Sequence, residues 1–314
     1  MWRFSFPGLI VILLGLSWQT VAAHDVRMVV TAAFVSNKGL AVYEELAQYL
    51  SKHIDADVRV ISGTSYEESN MLLEQGIIQV GFVCGLPYVQ QHAQGKLQLV
   101  AIPVMAAHAS QIPGTPGYAQ VPGKYYSYTI VRRDSPLRSW SDLKGKRYVY
   151  NEQTSNSGYN MPRYKLIQLG ARRWEDWFSR IEVSGSHEES IRMVALGMAD
   201  ASSVDSMVLD YDLHIGDEYA KQVKVIETLF PGGAGIPPVV VGNKVAPQLR
   251  QQLQAVLTTM HQNPEGRAIL QQALLQRFAP PDDHNYDDVR KMEAAAKRVG
   301  FVDHHRQMKK AAAQ

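Results

Sequence analysis

The sequence predicts an α/β protein built of two lobes. Apolar, β-rich segments alternate with amphipathic segments of helical period, which is the pattern of parallel sheets covered by helices on both faces. Stretches rich in proline and glycine at residues 113–123 and 230–238 divide this alternation. A chain that leaves the first lobe once and returns once gives two connections, an arrangement suited to hinge closure over a ligand. We therefore assign residues 24–124 and 228–314 to one lobe and residues 125–227 to the other.

The N-terminal residues 1–23 have the three-part pattern of a secretory signal. Arg3 precedes an apolar run over residues 7–18, and small residues stand at positions 21 and 23. The apolar run is short for a membrane span. We expect cleavage after Ala23 and export of the mature chain.

Charge and cysteine content exclude several classes of protein. The net charge is +2, and the basic residues do not form a run or a face, which argues against nucleic acid and anionic membranes as partners. The one cysteine, Cys84, cannot form an internal disulfide. No spacing of histidine, cysteine and acidic residues typical of a metal site is found, and no cofactor motif such as a P-loop.

The first lobe begins with repeated units of strand, polar turn and helix. Strands are predicted at residues 26–34, 58–61, 77–83 and 97–104, with helices between the first three at residues 40–53 and 66–75. In such sheets ligands bind beyond the carboxyl ends of the strands. We therefore expect the loop with Asn37 and Lys38 and the loop with Cys84 and Tyr88 to face the ligand.

Cys84 has two interpretations. A single cysteine at a strand end is commonly a small buried hydrophobic residue. Its position in a loop that faces the ligand also suits a thiolate that binds a soft ligand such as trivalent arsenic.

The second lobe contains a polar run between a predicted strand at residues 146–150 and a predicted helix at residues 159–169. The run is T-S-N-S-G at residues 154–158. A helix start has unpaired N–H groups and the positive end of the helix dipole, and hydroxyl groups there add donors without charge. The run therefore predicts an oxyanion site, although an ordinary helix cap has the same composition.

A second helix start and a strand end add further candidates. Ser186 and Glu189 have the spacing of a capping box around His187, and Asp205 ends the next strand. His187 could equally lie on the surface of a capped helix, and Asp205 could be an N-cap. With Ser157 these residues also suggest a Ser/His/Asp hydrolase, but the G-x-S-x-G elbow is absent.

Six short motifs in a fixed order resemble the phosphate/phosphite/phosphonate-binding periplasmic proteins of ABC transporters. They are G-L-P-Y at residues 85–88, R-D-S-P at 133–136, D-L-K-G at 142–145, T-S-N-S-G at 154–158 with Pro162, S-G-S-H at 184–187 and V-D-S at 204–206. The likeness covers nearly the whole mature chain. It implies a type II periplasmic-binding-protein fold, two lobes with mainly parallel sheets, and a ligand between them.

The resemblance also implies a role for each residue of the site. Tyr88 would donate its hydroxyl from the first lobe, His187 would donate from the second, and Asp205 would accept. The oxyanion would be surrounded by the hydroxyls of Thr154, Ser155 and Ser157 and by amides near Gly158. Secondary candidates for ligand contact are Cys84, Asn37, Lys38 and Asn156.

An acidic group in an anion site is informative about selectivity. A carboxylate repels an anion unless the ligand carries a proton to share, so Asp205 would favour a protonated phosphorus oxyanion or an ammonium group over sulfate. The return segment at residues 232–238 runs into valines without an added acid, which is less suited to an aminoalkyl substituent.

The sequence thus predicts a periplasmic solute-binding protein that captures phosphate, phosphite or a phosphonate for an ABC permease, without catalysis. The alternative is an arsenite-type sensor that binds through Cys84 and signals to a membrane histidine kinase. A hydrolase with Ser157, His187 and Asp205 is the third hypothesis.

Overall fold

The computed structural model describes residues 24–31, 39–61, 65–110 and 112–301. The predicted signal segment and the loop residues Asn37 and Lys38 lie outside the described residues. Within them the chain forms two sheets flanked by helices. The strands are β1 (His24–Val30), β2 (Ala56–Ile61), β3 (Val80–Phe82), β4 (Leu97–Met105), β5 (Lys124–Arg132), β6 (Arg147–Tyr150), β7 (Arg180–Val183), β8 (Ala201–Asp205), β9 (Val223–Gly235), β10 (Val239–Gly242) and β11 (Leu275–Ala279).

The helices follow the strands in the alternation that the sequence predicts. They are α1 (Leu40–His53), α2 (Tyr66–Gln75), α3 (Gly85–His92), α4 (Met161–Gln168), α5 (His187–Ala195), α6 (Ser206–His214), α7 (Pro247–Thr259), α8 (Pro264–Gln272) and α9 (Asp287–Val299). One turn of π-helix, Asn156–Asn160, leads directly into α4. The helix of the polar run therefore begins three residues earlier than the sequence pattern indicates.

Each sheet forms the centre of one lobe. The first lobe has the strand order β11-β4-β10-β3-β1-β2, and the second has the order β7-β6-β8-β5-β9. The interior strands are buried hydrophobic runs, as in β3 and β10, because helices cover both faces. The two-lobe α/β fold is as predicted.

The sheets are mixed, whereas the sequence predicted mainly parallel ones. The pairs β1–β2, β1–β3, β6–β7 and β6–β8 are parallel, and the other pairs are antiparallel. The antiparallel pairs involve β5, β9, β10 and β11, which carry the chain between the lobes or follow its return. These strands enter their sheets from the opposite end, so the simple strand–helix–strand rule does not apply to them.

Two of these strands, β5 and β9, make the connection between the lobes. They pair from Lys124 opposite Gly235 to Arg132 opposite Val223, with one shift of register between Tyr125 and Ser127 and a second between Thr129 and Ile130. Phe230 lies at the first of these shifts and has a positive φ of 59°. The C-terminal helix α9 packs against both α3 of the first lobe and α4 of the second. The limits of the lobes stay a prediction.

Stacked aromatic rings support the strand that leads to the polar run. Tyr148 on β6 stacks on Phe178 with ring centroids 4.3 Å apart, and Trp174 stacks on Tyr150 at 5.4 Å. These side chains are buried. Their packing fixes the end of β6, and with it the start of the segment that the sequence singles out.

Candidate functional site

Three helix starts converge in the second lobe. Ser155 is the N-cap of the π-turn, Ser186 is the N-cap of α5, and Asp205 is the N-cap of α6. Each side chain accepts a hydrogen bond of 2.9–3.0 Å from an amide two or three residues further on. The structure therefore contains the helix N-caps that the sequence patterns predict. Converging helix starts bring backbone donors and positive dipole ends to one place.

His187 is buried at the start of α5 and is a neutral donor. Its Nδ1 accepts a hydrogen bond of 3.3 Å from the backbone N–H of Asp205, which leaves the ring proton on Nε2. Burial lowers the pKa of His187 to about 3, so the ring is uncharged at neutral pH. The alternative of a surface histidine is wrong, since the side chain is 2% exposed.

The Nε2 atom of His187 faces the polar run. It lies 3.4 Å from Oγ of Ser157, 3.5 Å from Oγ of Ser155 and 3.2 Å from Nδ2 of Asn151. Oγ of Ser157 is also 3.4 Å from Oδ2 of Asp205. Well-formed hydrogen bonds to hydroxyl oxygens are shorter, near 2.7–3.0 Å. The contacts of Nε2 with the two serines are therefore weak, and Nδ2 of Asn151 meets it donor to donor, so neither nitrogen satisfies the other.

Two further buried atoms in this segment have no hydrogen-bond partner among the described residues. They are Oδ1 of Asn151 and Oγ1 of Thr154. A buried polar atom without a partner costs about 1–3 kcal/mol. Several such groups within eight residues of sequence are characteristic of a site that completes its hydrogen bonds with a ligand.

Asp205 supplies the acceptor of the cluster. Its Oδ1 accepts from the amide of Met207 at 2.9 Å, while its Oδ2 has the long contact with Ser157. Burial raises the pKa of Asp205 well above its usual range, and the hydrogen bonds from Met207 and Ser157 offset only part of this. The carboxyl group is therefore prepared to share a proton.

Gly158 is required by close packing. A Cβ atom at this position would lie 1.9 Å from Oδ1 of Asn151 and 3.1 Å from Cε1 of His187. The absence of a side chain lets the π-turn approach both residues. The sequence-predicted residues Ser155, Ser157, Gly158, His187 and Asp205 thus come together, and Thr154 lies beside them.

Cys84 reaches this region from the first lobe. It is fully buried, and its Sγ accepts a hydrogen bond of 3.1 Å from the backbone N–H of Asn156. Burial raises the pKa of the thiol to about 11, so it is not a thiolate at neutral pH. Within the described part of the chain, no group of three or more histidine, cysteine or acidic side chains is arranged to hold a metal ion.

Two predicted contacts have other partners in the structure. The hydroxyl of Tyr88 donates to Oδ1 of Asp283 at 2.7 Å, and Arg290 contacts the same carboxylate. The Asn156 side chain donates to the hydroxyl of Tyr125 at 3.2 Å and accepts from Asn160 at 2.9 Å. The structure therefore does not bring the hydroxyl of Tyr88 to the cluster, and its role as a ligand donor stays a prediction.

Sequence reasoning missed Asn151, Tyr125 and Tyr66. The pKa of Tyr125 and that of Tyr66 are both raised, first by burial and then by Cys84 and Asp205, so both phenols lie close to the cluster. Tyr66 begins α2 directly after the N-cap Ser65 in the first lobe, just as polar N-caps precede the helices of the second lobe. This similarity between the helix starts of the two lobes was the sequence feature that could have identified Tyr66.

The hydrolase hypothesis requires a different orientation of His187. In a catalytic triad the histidine donates Nδ1–H to the carboxylate and faces the nucleophile with an unprotonated Nε2. Here Nδ1 accepts from the amide of Asp205, and the carboxylate contacts Ser157 directly. In this arrangement His187 therefore does not present an unprotonated nitrogen to Ser157.

The comparison with protein families agrees with the oxyanion-binding geometry of the site. The sequence model described as "ABC transporter, phosphonate, periplasmic substrate-binding protein" matches residues 28–286. The chain belongs to this family. Members of the family are substrate-binding proteins rather than enzymes. Within the described residues, no helix combines the length and the apolar character that crossing a membrane requires.

Two curated relatives and one solved structure illustrate the similarity. The probable ABC transporter phosphite binding protein PhnD1 of Prochlorococcus marinus is 24% identical over 170 residues, which is 52% of each chain. The phosphonates-binding periplasmic protein of Escherichia coli is 27% identical over 164 residues, which is 50% of this chain and 45% of the relative. The chain therefore spans about half the length of the curated relatives that it matches.

The solved structure extends the similarity of fold over most of the chain. A binding protein component of an ABC phosphonate transporter from Pseudomonas aeruginosa superposes with a TM-score of 0.75 at 18% identity, covering 88% of each chain. This supports the two-lobe fold. The arsenite-sensor alternative has no support among these relatives, and the protonated thiol of Cys84 does not favour it.

Proposed function

We propose that this protein is a periplasmic solute-binding protein that captures a phosphorus oxyanion for an ABC importer. The ligand class is phosphate, phosphite or a phosphonate, the membrane partner is the importer's permease, and no chemical step is involved. Export would be directed by residues 1–23, which would then be cleaved off after Ala23. N-terminal sequencing of protein from the periplasmic fraction tests that point, and an intact Met1 would contradict it.

One observation supports the proposal most strongly. The weakly satisfied donors His187, Ser155 and Ser157 converge with the carboxyl group of Asp205 at the start of the π-turn. Uncharged donors and helix starts bind an oxyanion without a lysine or arginine. The acceptor then restricts the ligand to one that brings a proton.

Selectivity follows from the cost of unpaired groups. A phosphonate or phosphite monoanion has a P–OH group that can donate to Asp205, whereas sulfate carries no proton at neutral pH. Sulfate would either leave an ionised Asp205 facing an anion or depend on a proton held by Asp205 itself. Each lost hydrogen-bond partner in a buried site costs about 1–3 kcal/mol.

Isothermal titration of the mature chain tests the proposal. Protein comprising residues 24–314 would be freed of bound ligand by partial unfolding and refolding, and then titrated with phosphate, phosphite, methylphosphonate, sulfate and arsenite. We expect micromolar or tighter binding of at least one phosphorus compound and no heat from sulfate or arsenite. Arsenite binding that a thiol-blocking reagent abolishes, with no binding of phosphorus compounds, would contradict the proposal.

A further inference from the structure

Among the described residues, hydrogen bonds join the lobes directly at the site, and two of them are donated by backbone amides. The backbone N–H of Asn156 in the second lobe donates to Sγ of Cys84 in the first, at 3.1 Å. In the opposite sense, the backbone N–H of Tyr66 in the first lobe donates to Oε1 of Glu152 in the second, at 3.3 Å. Each bond pairs a helix-start amide of one lobe with a side chain of the other.

Glu152 interacts favourably with the start of α2. Tyr66 is the first residue of that helix, and the N-cap Ser65 accepts from the amide of Glu68 at 3.1 Å, so Glu152 pairs with a different amide. A carboxylate at a helix start is stabilised by the unpaired N–H groups and the positive end of the helix dipole. The carbonyl of Glu152 also accepts from the amide of Ser155 at 3.1 Å. The residue is thereby tied to the oxyanion-binding loop.

Cys84 makes the corresponding contact from the first lobe. It occupies the N-cap position of α3 but makes no cap with its side chain, and its Sγ is directed at the second lobe. Asn156 is held in place by its side-chain bonds to Tyr125 and Asn160. Its amide belongs to the first turn of the π-helix, where it has no partner within the helix. The thiol provides that partner only when the lobes are closed.

We propose that Cys84 and Glu152 form a latch that holds the first lobe closed against the oxyanion-binding loop. The latch gives Cys84 a function without a thiolate or a metal. As a device for retaining ligand it rests on the proposed function. Its two hydrogen bonds are between protein groups, so closure itself can be measured without ligand.

The chain offers a direct probe of closure because Cys84 is its one cysteine. The modification rate of this thiol by an aromatic disulfide reagent would be measured in the ligand-free mature chain, for wild type and for Glu152→Ala, Glu152→Gln and Glu175→Ala. Glu175 is an exposed glutamate of the second lobe outside the latch and is the matched control. Denaturant unfolding of each variant would separate opening of the cleft from global unfolding.

If the latch holds the cleft closed, the rate of Cys84 modification should increase in steps across the variants. Loss of a carboxylate at a helix start and of its hydrogen bond raises the open population, so Glu152→Ala should accelerate modification about three- to tenfold. Glu152→Gln, which keeps an acceptor without the charge, should lie between wild type and alanine, and Glu175→Ala should match wild type. Equal rates in wild type and Glu152→Ala, or an acceleration fully accounted for by global unfolding, would overturn the proposal.

Ligand dissociation gives the second measurement, with methylphosphonate and phosphite as probes in stopped-flow experiments. Cys84→Ala should increase the dissociation rate about three- to tenfold and leave the association rate unchanged, because the latch forms after binding. Cys84→Ser, which keeps an acceptor, should restore slow release. If neither these probes nor phosphate binds wild type, the proposed function fails and the thiol rates still decide the latch. If the probes bind and Cys84→Ala releases them at the wild-type rate, the latch fails alone.

Discussion

The two lobes contribute different chemistry to the site. In the second lobe, Ser155, Ser157, His187 and Asp205 contact one another, so their positions are set before any ligand arrives. The first lobe contributes Cys84, whose Sγ accepts from the backbone N–H of Asn156, and the nearby phenol of Tyr66. Most groups suited to oxyanion recognition therefore lie in one lobe, while the other supplies the contact proposed to hold the cleft closed.

Two buried aspartates of the second lobe also differ from each other, one having a structural role and the other being available for recognition. Asp205 and Asp210 lie on the same helix segment and are both buried. Asp210 accepts well-formed bonds from the hydroxyls of Tyr118 at 2.7 Å and Ser110 at 3.1 Å, both from the segment that connects the lobes. The contact between Oδ2 of Asp205 and Ser157 is 3.4 Å, which is longer than both hydrogen bonds of Asp210. The fully paired carboxyl has a structural role, and the weakly paired one is available to a ligand.

The largest expected effect concerns Asp210. Burial raises its pKa to about 7, above the usual value of 3.8, so the folded state binds a proton more tightly than the unfolded chain. Its contribution to stability is therefore full at low pH and is lost as the pH rises through 7. We expect the free energy of unfolding to fall by about 3 kcal/mol between pH 5 and pH 8 because of this group.

Urea denaturation at both pH values measures this effect. Asp210→Asn should flatten the pH dependence, since the amide does not titrate. A variant with the same pH dependence as wild type would show that Asp210 is not the group responsible and would weaken the comparison with Asp205.

The next effect concerns recognition by the second lobe. His187→Ala removes the neutral donor and the anchor of the Asp205 amide, and should lower phosphonate affinity roughly 10- to 100-fold. His214→Ala, at the exposed end of α6, is the control and should bind as wild type does. Equal affinities of the two variants, measured by titration calorimetry, would remove His187 from the site.

Close packing around Gly158 gives a smaller effect. Gly158→Ala places a methyl group against Asn151 and His187, and such overpacking costs typically about 1–3 kcal/mol. We expect lower thermal stability together with about tenfold weaker binding. Gly117→Ala, with no heavy atom near its added Cβ, is the matched control. Unchanged binding by Gly158→Ala would mean that the π-turn is not rigid.

Tyr88 gives the smallest expected effect on binding. Because its hydroxyl donates to Asp283, Tyr88→Phe should lower the free energy of unfolding by about 1 kcal/mol and leave affinity within about twofold. Denaturation and calorimetry on the same preparation separate the two quantities. A large loss of affinity with unchanged stability would instead support the ligand-donor role that the sequence predicts.

Local patterns in the sequence predict much of the second-lobe site. The Ser155 and Ser186 caps, the His187 position and the Asp205 strand end depend on neighbours within a few residues, and the structure has all four. The direction of β5, β9, β10 and β11 depends on which strands pair after each crossing. Such pairing is not local, so the mixed sheets were not predictable from alternation alone.

The contacts between the two lobes across the cleft could not be predicted from the sequence either. Tyr66 and Glu152 are 86 positions apart, and Cys84 and Asn156 are 72 apart. Their meeting depends on how two separately folded lobes approach each other. The alternative of Cys84 as a buried residue was correct for its burial, but only the structure supplies its partner.

The role of Asp205 in ligand selection is tested most directly by the selectivity of Asp205→Asn for methylphosphonate over sulfate. Calorimetric titration would compare this variant with wild type at the same pH. An asparagine side chain can donate to an unprotonated oxyanion, whereas the carboxyl of Asp205 requires a shared proton. We expect the preference for methylphosphonate to fall about tenfold or more, largely through tighter sulfate binding. An unchanged preference would contradict the assignment of Asp205 as the acceptor that selects a protonated phosphorus oxyanion.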